Sequence, residues 1–111
     1  MKILKFSEPL PGLVLDGRKD ITWRINYQGD INVGDELCLC HNNGQEFARA
    51  KVIWVKETTF GNFTAEDKEG HEKFSSEGEM YATYSRYYNM QVTPETRVKV
   101  IKFNLLQITQ T

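Results

Sequence analysis

The segment Gly17-Arg18-Lys19-Asp20-Ile21-Thr22-Trp23-Arg24 gathers three cations, a carboxylate, a hydroxyl and an indole into eight residues. One structural pattern gives way to another here. Upstream, Leu10, Leu13 and Val14 share a helical face and Gly17 supplies a C-terminal stop, which predicts a short helix over 10–15. A helix ending there turns its free carbonyls toward Arg18 and Lys19 and favours their charge. Downstream, Ile21, Trp23 and Ile25 alternate with Thr22, Arg24 and Asn26, the period of a strand. Thr22 and Arg24 therefore share a face, and Lys19 reaches the same region if the loop curls back. The segment reads as the floor of a site.

Working outward, the pattern continues to favour short strands. Residues 3–6 alternate as a first strand. A polar stretch over 26–32 and the turn Val33-Gly34-Asp35 lead into a strand over 36–40, and His41-Asn42-Asn43-Gly44 makes a hairpin because asparagine and glycine tolerate positive φ. Residues 46–57 form the longest strand candidate, followed by a loop over 58–62. Thr64 is a helix cap with Asp67 three positions on. Ser76 with Glu79 reads as a capping box opening a helix that carries Met80, Tyr81, Tyr84, Tyr87 and Tyr88. In the last strand, over 97–107, the apolar phase switches between Val100 and Ile101, which predicts a bulge or burial on both faces.

The 111 residues suit one domain over 1–111, with 40% hydrophobic and 26% charged residues. A net charge of −1 gives no global field for a polyanion, so any nucleic-acid contact must be local. Arg18, Lys19 and Arg24 with Arg97, Lys99 and Lys102 make such a patch if the last strand pairs beside the first segment. No long apolar run marks a signal peptide or membrane span, and the two cysteines are expected as reduced thiols in the cytoplasm. Cys38, Cys40, His41 and His71 lack the knuckle spacing of a structural zinc site, so no metal and no cofactor are expected. The run over 66–79 holds six acids against two lysines, ordinarily a solvated surface. Trp23, Tyr81, Tyr84 and Tyr88 have an ordinary reading as core, with Tyr27 and Tyr87 the candidates for exposure. An adaptor that binds protein has no positive signal beyond exposed aromatics.

Gly17, Lys19, Thr22 and Arg24 follow the form glycine, any residue, lysine, two residues, threonine, one residue, arginine. With Val33-Gly34-Asp35 before a strand, the acidic segment around Glu69-Gly70-His71, a helix ending in tyrosines, and the last strand Val98-Lys99-Val100-Ile101-Lys102-Phe103, the chain resembles the ASCH family over nearly its whole length. These are compact barrels similar to the PUA RNA-binding domain. The resemblance implies an α+β fold, a mixed β-barrel of five to six strands with two or three short helices covering one opening. It implies a cationic cleft for RNA or a modified nucleoside, with Gly17, Arg18, Lys19, Trp23, Arg24, Tyr27 and Tyr87 as binding residues. The family includes small amidohydrolases that remove acetyl from N4-acetylcytidine, using this lysine as base, this threonine as nucleophile and a later glutamate. Lys19 and Thr22 match the first two. The glutamate is Glu69 or Glu72, with Glu69 taken as the site residue. Asp20 and Trp23 stand where those amidohydrolases carry threonine and isoleucine, and an ion pair from Asp20 would hold Lys19 protonated.

Overall fold

Five strands alternate with three short helices in the computed structural model of the chain, which describes residues 1–27 and 29–109. They are β1 (Lys2–Phe6), α1 (Leu10–Leu15), β2 (Ile21–Arg24), β3 (Glu36–His41), β4 (Glu46–Thr59), α2 (Ala65–Lys68), α3 (Glu77–Tyr88) and β5 (Arg97–Ile108). Of the polar stretch over 26–32, Gln28 lies outside the described residues. The predicted loop over 58–62 is half strand: β4 runs on through Thr59 and Phe60–Asn62 forms a 3-10 turn.

One mixed sheet holds all five strands in the order β1-β3-β4-β5-β2. β1 lies parallel to β3, and the other pairs are antiparallel. Three register shifts curl it. Phe47 is the extra residue of β4 against β3, Ile53 is the extra residue of β4 against β5, and Leu106 is the extra residue of β5. Each bulge bends its strand and adds twist. The result is a half-barrel whose two edges, β1 and β2, approach each other. Side chains stitch that seam: Arg24 Nη2 donates to the Lys5 carbonyl at 2.9 Å, and Tyr27 Oη to the Ile3 carbonyl at 3.1 Å.

The phase switch in β5 marks the line between two cores. Ile101 and Phe103 join Leu4, Phe6, Leu37 and Phe47 inside the curl, whereas Val98 and Val100 join Ile21, Trp23, Phe60 and Tyr84 under α3. Burial on both faces accounts for the switch, since the register with β4 runs without a bulge across Val100 and Ile101. At the start of α3, Ser76 Oγ accepts from the Glu79 amide at 3.1 Å, but the Glu79 carboxylate turns to Ser75 instead of the cap residue. The full capping box is the one at α2, where Thr64 and Asp67 bond each other reciprocally.

Candidate functional site

At the end of α1 the chain reverses through Gly17, at φ +85°, a conformation open to glycine at little cost. The amides of Arg18 and Lys19 both return to the Leu13 carbonyl, at 3.0 and 3.1 Å. Beyond these two hydrogen bonds to one carbonyl the neighbouring side chains differ in burial. Arg18 stays exposed and pairs with Asp16 at 2.6 Å, while the Lys19 side chain is buried to 2% exposure.

The partner that meets Lys19 comes from the acidic run. The amides of Asp20 and Ile21 donate to the Gly70 carbonyl at 2.9 and 3.3 Å, which clamps the run onto the start of β2. Gly70 sits at φ +86°, and a Cβ there would overlap the Asp20 carboxylate. The chain turns at this glycine, so Glu69 is left exposed outside and His71 and Glu72 point in. Glu72 Oε1 lies 2.5 Å from Lys19 Nζ. Glu69, taken from the sequence as the site carboxylate, is thus displaced by Glu72, the alternative. Asp20 also leaves Lys19 alone as a bonding partner: its carboxylate faces Lys102 at 3.2 Å. Gly70→Ala is expected to destabilise the fold by about 2 kcal/mol, from the left-handed backbone and the overlap together. Urea unfolding measures this, and a loss below about 0.5 kcal/mol would mean that the clamp is soft.

His71 is buried and lies flat on Trp23, ring centroids 3.5 Å apart and planes 11° apart. Its Nδ1 is 2.8 Å from the Glu72 carbonyl, which only accepts, so Nδ1 carries the proton and Nε2 accepts from Tyr84 Oη at 2.9 Å. Burial, with the Lys19 cation nearby, holds this histidine far below its ordinary pKa, and it stays neutral. Trp23 in turn donates from Nε1 to the Asp67 carbonyl at 2.9 Å. Asp67 is itself buried and pinned by Lys56 at 2.9 Å.

These contacts frame a cavity of about 310 Å³ lined by Lys19, Thr22, Arg24 and Glu72, by the aromatic rings of Trp23, Tyr84, Tyr87 and Tyr88, and by Phe6, Ser7 and Asn42. Burial lowers Lys19 to about 8, against the opposing pull of Glu72. About one lysine in ten is then neutral at pH 7. Thr22 Oγ1 accepts from Arg24 Nε at 3.0 Å, which leaves its own hydrogen free to be donated. Among the described residues no hydrogen bond joins Lys19 to Thr22. Arg24 also lies over the Phe6 ring at 4.7 Å.

Of the residues singled out in the sequence, Lys19, Thr22, Trp23, Arg24 and Tyr87 line this cavity. Gly17 shapes the turn beneath it without lining it, and Arg18 is drawn off by Asp16. Tyr27 is half-buried at the seam, its hydroxyl held by Ile3. Trp23 belongs mainly to the core, with 3% exposure. Tyr84 and Tyr88, whose ordinary reading in the sequence is the buried stripe of a helix, also line the cavity, as do Ser7 and Asn42, which no local pattern announces. Cys38 and Cys40 lie apart from the cavity, sulfurs 3.3 Å from each other, with Cys38 bonded to Glu46 and its thiol pushed up to about 12, chiefly by burial. Among the described residues no cluster of three or more metal-ligating side chains occurs.

A curled mixed sheet with helices over one mouth, and a cationic cavity between them, defines an α+β half-barrel domain. Solved structures narrow the class. The ASCH domain from Lactobacillus crispatus JV V101 matches with a TM-score of 0.66 at 12% identity, covering 86% of this chain and 69% of that one. The ASCH protein from Zymomonas mobilis matches at 0.65 and 8%, covering 96% and 71%. Hypothetical protein PH0355 matches at 0.73 and 20%, covering 96% and 100%. The chain has the ASCH-domain fold. Its sequence matches no family model and no curated protein.

Proposed function

We propose that the cavity binds a nucleoside, free or within RNA, and that the chain works in the cytoplasm, where its thiols stay reduced. The observation that carries this is the ion pair of buried Lys19 with Glu72 in the lining of a cavity that three tyrosines share. An ammonium and a carboxylate side by side offer a donor and an acceptor to the polar edge of a base. The faces of Tyr84, Tyr87 and Tyr88 offer stacking, and a cavity of this volume suits one nucleoside rather than a folded RNA. Arg24 supplies fixed positive charge to the lining.

Calorimetric titration with the four ribonucleosides, N4-acetylcytidine and short single strands tests the reading. Tyr87→Ala is expected to weaken binding about tenfold, the low end of the value of one base stack. No binding by any of these ligands removes the proposal.

A second reading, hydrolysis of an N4-acylated cytidine, is favoured by one observation: a desolvated lysine and a threonine hydroxyl face the same cavity. Thr22 Oγ1 would attack the acyl carbonyl as neutral Lys19 takes its proton. The C–N bond then breaks, the leaving amine takes a proton delivered by Lys19 or Glu72, and water hydrolyses the threonine ester. Release of cytidine from N4-acetylcytidine, reduced at least about a hundredfold by Lys19→Ala, is the expected result. Turnover indifferent to Lys19 would sink it.

A further inference from the structure

Arg24 is shared between two cavities. On its far side lies a groove of about 360 Å³, lined by Arg24, Asn26, Tyr27, Glu57, Arg97 and Lys99 with the loop at Asp30. Its base is a row across three strands: Arg24 of β2 pairs with Lys99 of β5, which pairs in turn with Glu57 of β4. Paired residues on adjacent strands stand about 5 Å apart on one face. Arg97, two residues before Lys99, points to the same side.

Donors here are in surplus. Arg24 spends one N–H on Thr22 and one on the Lys5 carbonyl, leaving three of the five that a guanidinium carries. Among the described residues, Arg97 and Lys99 make no ion pair and no side-chain hydrogen bond. Glu57 sits opposite Lys99 in register without closing a salt bridge to it. The groove thus holds three cations against the two carboxylates of Glu57 and Asp30, on a chain whose net charge is −1. The surplus is local, and two guanidinium forks with an ammonium suit the several oxygens of a phosphate.

We propose that this groove is a phosphate subsite, so that the ligand is a nucleotide whose base enters the neighbouring cavity and whose phosphate lies on Arg24, Arg97 and Lys99. The base placement rests on the nucleoside reading above; the phosphate site does not. The phosphate comes either from a free nucleotide or from an RNA phosphodiester, and binding measurements separate the two.

Wild type and the double variant Arg97→Ala/Lys99→Ala are titrated with cytidine, N4-acetylcytidine, their 5′-monophosphates and a cytidine tetranucleotide. The phosphate is expected to add tenfold or more to affinity in wild type. The double variant loses that gain, keeps its nucleoside affinity, and shows a salt dependence shallower by roughly 0.7 per lost contact. Glu57→Gln tightens phosphorylated ligands several-fold. A gain already complete with the monophosphate identifies a free nucleotide, and a gain seen only with the tetranucleotide identifies RNA; either upholds the subsite. Nucleosides binding as tightly as their phosphates, or a double variant that keeps the gain, overturns it. If no nucleoside binds, the cavity reading falls and pyrophosphate decides the groove. Phosphorus line broadening relieved in the double variant retains the subsite, and its absence removes it.

Discussion

Glu72→Ala is expected to lower the unfolding free energy by about 2.5 kcal/mol at pH 7, because it strands a buried cation without its counter-charge. Lys19 is 2% exposed, and the Glu72 side chain that faces it is 16% exposed. In the intact protein, burial already outweighs the attraction of Glu72 and holds the lysine at about 8, below the roughly 10.4 of an unfolded chain. Between those two values the unfolded state binds more protons than the folded one, so stability rises with pH across this window. Below pH 8 both states are protonated and the burial penalty is fully present. The rise contributed by this group is on the order of 3 kcal/mol.

Removing Glu72 pushes the folded value lower still and widens the window toward neutrality. The deficit of Glu72→Ala is therefore larger at pH 7 than at pH 9.5, where Lys19 is mostly neutral in both proteins and about 1 kcal/mol remains. Adding Lys19→Met to Glu72→Ala recovers most of the loss, since no charge is then left stranded. Urea midpoints at the two pH values measure all three proteins. A deficit under about 1 kcal/mol at pH 7, or the same deficit at both, contradicts a buried pair.

Trp23→Ala is expected to cost about 4 kcal/mol, within the range for emptying a large aromatic from a core. The indole stacks on His71, meets Phe60 edge-on at 6.1 Å and lies 4.3 Å from Phe63 by ring centroids. Its N–H to the Asp67 carbonyl ties β2 to α2. Trp23→Phe keeps most of the volume, loses that bond, and is expected to cost about 1.5 kcal/mol. Denaturant unfolding compares the two, and an alanine variant that loses less than about 1.5 kcal/mol would return Trp23 to the surface as a stacking platform.

Local chemistry was legible where neighbours in sequence decide the outcome. Gly17 ends α1, Thr64 caps α2 with Asp67, and the phase switch between Val100 and Ile101 lies where β5 passes from one core to the other. Thr22 and Arg24, which share a strand face, line one cavity, and Lys19 joins them because the loop after Gly17 curls back. What stayed hidden depends on partners far along the chain. Lys19 and Asp20 are adjacent, yet one finds Glu72 and the other Lys102, 53 and 82 residues away. The choice of Glu72 over Glu69 turns on the left-handed backbone at Gly70, which the residue's identity permits without requiring. Trp23 in a strand of alternating period has core as its ordinary reading, with a stacking platform as the alternative. Only the arrival of His71, Phe60 and Phe63 on its ring decides it.

The stitched seam makes one residue serve both the sheet and the hollow beside it. Its hydrogen bonds join the two edges of the sheet across 19 and 24 residues. Arg24 is at once a stitch of that seam and part of the cavity lining, so a substitution that opened the seam would also reshape the cavity.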